Sequence, residues 1–284
     1  MNMIIPHEMN VDLHMHSNAS DGKLTPSELI LRAEKNNVEM VALTDHDSLK
    51  GISEAKDSAQ GKNIHFIPGV EISVTWGSET IHVLGLNIDP TNEILSSALH
   101  SIQDTRYKRA KAINQALVVA GLPSLLDEAL EEAQNPGQIS RTHFARVMKS
   151  KGICASMQDV FRNYLVPGKP GFVEHKWVSL KSAIKWIQTA EGLAVLAHPA
   201  RYKLSAIHLN ALLDDFSNLG GIAIEVATGS HSYSDIKKFQ TIANQNNFEA
   251  SRGSDFHSLT ESRFDVGEAP PLPYDTVPVW ARWL

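Results

Sequence analysis

The chain has 284 residues, of which 42% are hydrophobic and 20% are charged, a composition typical of a globular protein with a sizeable core. Its formal net charge of −6 argues against a protein that coats nucleic acid indiscriminately. No apolar run approaches the roughly 20 residues that cross a bilayer, and the N-terminus lacks a secretory pattern. The chain has a single cysteine, Cys154, which we interpret as a structural residue and which fits a reducing compartment. We therefore expect a cytoplasmic protein without membrane association, and no obligate protein partner is evident.

Short apolar runs alternate with helical patterns along most of the chain. The predicted strands are Met9–Met15, Val38–Thr44, Ile64–Ile72, Ile81–Ile88, Leu193–Ala197, Ile222–Val226 and Phe248–Ser251. One helix begins at the capping box Thr-Pro-Ser-Glu that starts at Thr25, and later helices are predicted at Ser179–Ala190, Ser205–Leu219 and Ser232–Asn246. This alternation predicts an α/β protein with a parallel sheet or barrel, followed by a docking tail from Pro270.

Residues 91–177 interrupt the alternation with mainly helical patterns. Helices are predicted around Ala98–Leu117 and at Leu125–Ala133 and Thr142–Lys151. We interpret residues 1–90 and 178–284 as one α/β domain and residues 91–177 as an inserted helical subdomain. Between His100 and Val178 there are 11 Lys/Arg and 7 Asp/Glu residues, so this segment either holds an anionic substrate or presents a solvated basic face.

Histidines and carboxylates stand at the ends of most predicted strands. His14 and His16 alternate along the first run, so their side chains point the same way, although two ordinary half-buried histidines would show the same pattern. The carboxyl ends of parallel strands share one edge, so we expect these residues to meet. The full set is His14, His16, Asp21, His46, Glu71, His82, His198, Asp255 and His257.

Imidazole and carboxylate donors together suit zinc, manganese or iron. Nine donors exceed the needs of one ion, which favours two or three metals that share a bridging carboxylate. Such a cluster stays positively charged and suits a phosphate group. A metal-bound water is then the predicted attacking group, and no protein nucleophile is required.

The motifs HxH followed by SDG, then TDHD, GVE, HVLG, AHP and SDFH, in this order, resemble the PHP (polymerase and histidinol phosphatase) superfamily of metal-dependent phosphoesterases. The resemblance covers nearly the whole chain and implies a distorted (β/α)7 barrel with a trinuclear metal site. By similarity the three divalent ions are manganese, although zinc or iron would also suit the donors.

The same resemblance distributes the donors among three ions. One ion is assigned to His14, His16, Glu71 and Asp255. The second is assigned to Asp21, His46 and His257. The third is assigned to Glu71, His82 and His198, so that Glu71 bridges two ions.

A narrower resemblance lies within the insertion, in residues 105–109 (TRYKR) and 140–146 (SRTHFAR). They are similar to a bacterial subfamily that includes a 3',5'-nucleoside bisphosphate phosphatase and the 5'-3' exoribonuclease called RNase AM. Arg106 and Arg109 share a helix face and could clamp a second phosphate together with Arg141. Further contacts could come from Ser140, Thr142 and His143, and Lys169 is an additional candidate. Each of these residues could equally be an ordinary solvent-facing side chain.

The sequence therefore predicts an enzyme that hydrolyses phosphoester bonds in nucleotides or at RNA ends. Its expected reaction is removal of the 3'-phosphate of a 3',5'-nucleoside bisphosphate, or 5'-3' exonucleolytic cleavage of short 5'-phosphorylated RNA. The alternatives are a phosphatase for a small metabolite such as histidinol phosphate, a DNA exonuclease, and a PHP module with a structural role and no catalysis.

Overall fold

The computed structural model describes residues 5–284, which form a mixed α/β fold. The strands are β1 (Val11–Asp12), β2 (Met40–Leu43), β3 (His65–Trp76), β4 (Glu79–Leu86), β5 (Val178–Ser179), β6 (Leu193–Leu196), β7 (Ala223–Thr228) and β8 (Glu249–Gly253). The helices are α1 (Pro26–Lys35), α2 (Ile52–Ala59), α3 (Glu93–Val119), α4 (Leu126–Ala133), α5 (Arg141–Ser150), α6 (Met157–Val160), α7 (Leu180–Thr189), α8 (Ala206–Asn218) and α9 (Tyr233–Asn246). The predicted α/β class is confirmed.

The sheet curls into a nearly closed barrel, as predicted. Its strand order is β1-β2-β3-β4-β6-β7-β8, and the short β5 pairs with β3 outside this path. The two ends of the sheet meet where the Leu13 N–H donates to the Arg252 carbonyl at 3.0 Å and the His16 N–H donates to the Phe256 carbonyl at 2.9 Å. A Cβ at Gly253 would lie only 2.7 Å from the His14 backbone nitrogen, so this seam needs a glycine.

One strand runs against the others, and the expectation of a parallel sheet is wrong there. Strand β4 is antiparallel to both β3 and β6, with Ser73 opposite His82. Only two residues, Gly77 and Ser78, separate β3 from β4, and so short a turn joins antiparallel neighbours. Gly77 has a φ of 58°, as tight hairpin turns require. The reversed direction brings the beginning of β4, with His82, to the edge where the parallel strands end.

Local sequence explains the helix that follows the first loop. Thr25 accepts a hydrogen bond from the Glu28 N–H and the Glu28 side chain accepts one from the Thr25 N–H, which completes the predicted capping box. The helix α1 then buries Leu29, Ile30 and Ala33. Strands β2 and β7 are buried throughout, which accounts for the continuous apolar character of β2.

Helices α3–α6 lie between β4 and β5, within the predicted insertion. The first half of α3 buries Leu95, Leu99 and Ile102 in the barrel core. Its second half packs with α4–α6 in a separate core of its own. Cys154 is partly buried against that second core, which agrees with a structural role. The domain limits at residues 91 and 177 stay a prediction.

The C-terminal tail packs onto the barrel. Trp280 is 1% exposed, and its indole N–H donates to the Pro6 carbonyl at 2.9 Å. A backbone bridge also joins Pro278 to Ala250 in β8. Among residues 5–284, no helix combines the length and the hydropathy that a bilayer crossing requires.

Candidate metal centre

Glu71 lies at the centre of the predicted donor set. Its Oε1 atom is 2.8 Å from His82 Nδ1, 2.9 Å from His198 Nε2 and 3.4 Å from His14 Nε2. Its Oε2 atom is 2.8 Å from His46 Nδ1 and 3.4 Å from His16 Nε2. One fully buried carboxylate therefore faces five imidazole rings that come from separate parts of the chain.

The other two carboxylates flank this centre. Asp21 Oδ1 is 3.4 Å from His257 Nε2 and 3.9 Å from His46 Nε2. Asp255 Oδ1 is 3.3 Å from His16 Nε2 and 3.5 Å from His14 Nε2.

The structure brings all nine predicted donors together. Their atoms form four overlapping groups within 4.8 Å: His16, Asp21, His46 and His257; His14, Glu71 and His198; His14, His16 and Asp255; His46, Glu71 and His82.

Several buried donor atoms lack a hydrogen-bond partner among residues 5–284, as expected of a site that holds divalent metal ions. Asp21 Oδ1, His46 Nδ1 and Glu71 Oε2 are buried and make no hydrogen bond within residues 5–284, although His46 Nδ1 is 2.8 Å from Glu71 Oε2. Leaving such atoms unpaired in a protein interior is costly. A convergent set of nitrogen and oxygen donors, several of them left without a hydrogen-bond partner in the described part of the chain, matches what borderline transition metals coordinate.

The protonation states of several donors also suit metal binding, since ligands must be deprotonated. Burial would raise the pKa of Asp21 and of Glu71. Neighbouring histidines outweigh burial, so that His257 holds the pKa of Asp21, and His46 that of Glu71, well below the usual range. Burial lowers the pKa of His16 and of His198 to about 3, so both imidazoles stay neutral.

His257 differs from these neutral imidazoles. Burial would lower its pKa, but the Asp21 carboxylate outweighs burial and raises the pKa to about 9. His257 must therefore release a proton before it can bind a metal at neutral pH.

Backbone strain accompanies the cluster. Three residues other than glycine have positive φ at its edge: Asp47 (46°), His198 (28°) and Asp255 (54°). Such conformations are uncommon outside glycine and cluster at functional sites. The Asp255 N–H donates to the His14 carbonyl at 2.8 Å, which holds this strained turn against the barrel seam.

Sequence reasoning missed Glu225, which is fully buried in β7. Its Oε1 atom lies 2.9 Å from His14 Nδ1, and its Oε2 atom accepts the His198 N–H at 2.6 Å. One carboxylate thus orients two of the histidines. A charged residue within the predicted apolar strand Ile222–Val226 was the signal that could have identified it.

Two further polar residues support the centre. Arg201 Nη1 donates to Asp255 Oδ2 at 2.9 Å, and its place two residues after the His-Pro pair could have marked it. Buried Asp45 accepts hydrogen bonds from the Ser17 and Ser20 hydroxyls, both at 2.6 Å, which fixes the loop that carries Asp21.

A cavity of about 150 Å³ opens beside the donors, and four arginines line it: Arg106, Arg109, Arg141 and Arg201, the last of which binds Asp255. Arg106 is buried and already paired with Asp47, and it also donates to the Ser73 hydroxyl at 3.0 Å. The structure therefore gives Arg106 a partner within the protein rather than a free charge.

Arg109 and Arg141 line the same cavity without a carboxylate within 4 Å among residues 5–284. The Arg109 guanidinium lies 5.3 Å from the Trp177 ring centroid, and its buried Nε atom has no hydrogen-bond partner in that range. Burial, and then the neighbouring Arg141 and Arg106, lower the pKa of Arg109. Arg141 donates to the Leu165 carbonyl at 3.0 Å. Two unbalanced cations thus face the cavity beside the donors.

Of the remaining candidate substrate-binding residues in the insertion, some line the cavity and others do not. Ser140 and Thr142 line the cavity, and the Ser140 hydroxyl lies 3.4 Å from Asp21 Oδ2. His143 is buried, is not part of the cavity lining, and accepts the Ser140 N–H on Nδ1 at 3.0 Å as a cap of α5. Lys169 is exposed and outside the lining as well.

Comparison with known proteins places these features in context. The PHP domain family model matches residues 12–169. A 3',5'-nucleoside bisphosphate phosphatase of Chromobacterium violaceum is 46% identical over 271 residues, which cover 95% of each chain. The 5'-3' exoribonuclease Rnm of Escherichia coli is 40% identical over 274 residues, which cover 96% of this chain and 93% of that protein.

A solved structure shows the same architecture. It is described as an amidohydrolase from Chromobacterium violaceum with bound sulfate and no metal. Its TM-score against this chain is 0.93 at 46% identity, and the match covers 96% of this chain and 95% of the other.

Proposed function

Because this chain belongs to the PHP domain family, we propose that it is a metal-dependent phosphoesterase that acts on nucleotides or on the 5' end of short RNA. One observation carries the proposal: nine metal-type donors adjoin a cavity that also holds Arg109 and Arg141, whose charges no carboxylate among residues 5–284 balances. The phosphatase and the exoribonuclease named above, at 46% and 40% identity, support the same substrate class.

We further propose three divalent ions, with manganese preferred. The overlapping donor groups support the first two sets that the resemblance implies. The third is supported by Glu71 Oε1, which lies 2.8 Å from His82 Nδ1 and 2.9 Å from His198 Nε2. When bound, the ions supply an activated water and offset negative charge on the phosphoryl oxygens. His14, His16, His46, His82, His198 and His257 supply nitrogen donors, and Asp21, Glu71 and Asp255 supply oxygen donors.

The cationic side of the cavity, which Arg109 and Arg141 form, would hold the phosphate of the substrate that does not react. Arg109 and Arg141 bind the 5'-phosphate through charge-assisted hydrogen bonds, and the Thr142 hydroxyl lies in the same lining. This anchor places the neighbouring 3'-linked phosphorus against the donor cluster, so binding energy remote from the reacting bond orients the reaction.

The chemistry balances as a hydrolysis. Water adds to phosphorus, the bond from phosphorus to the 3'-oxygen breaks, and that oxygen takes up a proton and leaves as a hydroxyl group. A 3',5'-bisphosphate gives a nucleoside 5'-monophosphate and inorganic phosphate. A 5'-phosphorylated RNA gives the same monophosphate and a shortened RNA with a new 5'-phosphate. We propose that the enzyme acts in the cytoplasm.

The test is a substrate panel in manganese-supplemented buffer: a 3',5'-bisphosphate, a short 5'-phosphorylated RNA, the matching DNA, and histidinol phosphate. We expect turnover of the first two, loss of turnover in His257→Ala, and normal rates in His208→Ala, since His208 is exposed on α8. Preference for histidinol phosphate would overturn the substrate class. Absence of any hydrolysis by metal-loaded protein would overturn the enzymatic assignment.

A further inference from the structure

A second cavity of about 650 Å³ adjoins the first at Asp255 and His257 of the donor cluster. The two cavities share five lining residues, so they form one continuous depression: Thr142, Phe161, Arg201, Asp255 and His257. We call the second cavity the serine groove; its own lining includes Lys149, Ser156, Gln158, Ser230 and Arg263.

The sizes of the two cavities suggest that they bind different parts of a substrate. Sites that enclose a drug-sized ligand measure about 300–1,000 Å³. The first cavity, at about 150 Å³, is large enough for phosphate groups beside the donors and too small for a chain of nucleotides. The serine groove falls within the range for a larger ligand.

The charges of the groove favour an anionic chain. Its two carboxylates are already paired, because Asp255 binds Arg201 and Glu261 binds Arg146. Lys149 and Arg263 are exposed and have no carboxylate within 4 Å among the described residues. Hydroxyl and amide side chains make up much of the remaining lining, and such groups commonly contact the sugar and phosphate of nucleic acids.

We propose that the serine groove binds the nucleotides on the 3' side of the scissile phosphate of a single-stranded RNA. The inference rests on the proposed function, and it adds a binding site that a 3',5'-bisphosphate does not use. An RNA whose 5'-phosphate lies on Arg109 and Arg141 presents its first internucleotide phosphate to the donor cluster. The rest of its chain continues into the groove, whereas a bisphosphate ends at the cluster.

Phe161 marks the junction of the two cavities. Its ring is partly exposed and contributes to both linings. Aromatic side chains beside a cationic track stack on bases of single strands with little sequence preference. We assign Phe161 as a stacking surface for a base next to the cleaved linkage.

The groove is tested by reversing its two free charges in Lys149→Glu/Arg263→Glu. The matched control is Lys181→Glu/Lys185→Glu, which makes the same charge change on exposed residues of α7 outside both cavities. We expect the KM for a 5'-phosphorylated pentaribonucleotide to rise on the order of tenfold in the groove variant. The kcat/KM for a 3',5'-bisphosphate should stay within about twofold of the wild-type value, because its two phosphates lie elsewhere.

Two results would overturn the proposal: an unchanged KM for the RNA, or equal losses for both substrates. A general loss of positive potential weakens the bisphosphate as well, so equal losses would mean that the groove has no specific role. Ser230→Trp is the second variant; it obstructs the groove without a charge change, and we expect the same selective loss.

A binding measurement separates the groove from the catalytic proposal. Fluorescence anisotropy of the labelled pentaribonucleotide should show weaker binding to the groove variant than to the α7 control, whether or not hydrolysis occurs. Equal affinity of both variants would refute the groove even in an active enzyme. Hydrolysis of neither substrate by wild-type protein, with selective loss of binding in the groove variant, would refute the proposed function alone.

Discussion

Glu225 Oε1 lies 2.9 Å from His14 Nδ1, deep in the barrel, and this contact leaves the opposite nitrogen of the ring facing Glu71 and Asp255. The other oxygen of Glu225 accepts the backbone N–H of His198, a residue with strained φ. Glu225 lines neither of the two cavities described above, and it nevertheless fixes two of the candidate metal ligands.

Glu225→Gln should weaken metal affinity about 10- to 100-fold, since partners of metal-ligating histidines usually matter to this extent. The amide keeps the shape of the side chain but loses the charge that orients His14. Metal content after dialysis against a graded chelator measures the effect. Glu249→Gln is the control, because Glu249 pairs with Arg282 near the surface. Full metal retention by Glu225→Gln would contradict the positioning role.

Two arginines one helical turn apart on α3 should respond oppositely to the same substitution. Arg106→Met leaves buried Asp47 without its partner and should cost about 3–5 kcal/mol of unfolding free energy. Arg109→Met removes a poorly solvated cation with no carboxylate partner and should stabilise the free protein by about 1 kcal/mol, while it weakens phosphate binding. Urea denaturation of both variants measures this. Equal destabilisation by the two changes would argue against Arg109 as an anion site.

Arg141→Ala should raise the KM for a 3',5'-bisphosphate by about tenfold or more, because one charge-assisted contact to the 5'-phosphate is lost. Turnover of a nucleoside 3'-monophosphate should change little, since that substrate has no 5'-phosphate to anchor. Steady-state kinetics with both substrates measure the difference. Arg162→Ala, at an exposed arginine outside the first cavity, is the control. An unchanged preference for the 5'-phosphate would remove Arg141 from the anchor.

The cap of α5 should make stability depend on pH. Burial lowers the pKa of His143 to about 4, and the neutral ring accepts the Ser140 N–H. The unfolded chain takes up this proton near pH 6.5, so the contribution is fully present above that pH and is lost as the pH falls toward about 4. The loss is on the order of 3 kcal/mol.

His143→Gln keeps a side chain that can cap the helix and removes the titration. In metal-free protein, urea unfolding at pH 7.5 and at pH 4.5 should show a smaller difference for this variant than for the wild type. Identical pH dependence of the two proteins would show that His143 does not titrate as expected.

The donor set was readable from the sequence because its residues stand at or shortly after the end of a predicted apolar run, or, for His82, at the beginning of one. Strand ends are local features, and a barrel collects them at one edge. The same logic fails for Glu225, which lies inside an apolar run and acts through a contact across the barrel. It also fails for Arg106, since only the tertiary fold reveals that Asp47 balances its charge.

The direction of β4 was not predicted, although it decides where His82 lies. The alternation of strands and helices favours parallel pairing, and only the short separation of eight residues between the predicted strands Ile64–Ile72 and Ile81–Ile88 argues against it. His143 shows a related limit: its place beside Ser140 and Thr142 suggests a substrate contact, whereas its position three residues after a serine equally permits a helix cap. The His143 ring is buried, and only the packed structure distinguishes the two roles.

The turn at Gly77 and Ser78 has a consequence for how this centre tolerates change. Side chains along a strand alternate between two faces, so a slip of one residue in the β3–β4 pairing would turn His82 outward and bring Ile81 or Val83 in its place. One residue inserted at this surface turn could therefore dismantle the donor set while every donor remains in the sequence. The length of this turn, which contains none of the donors, thus helps to specify the centre. A relative can keep all nine donors in its sequence and still fail to bring them together.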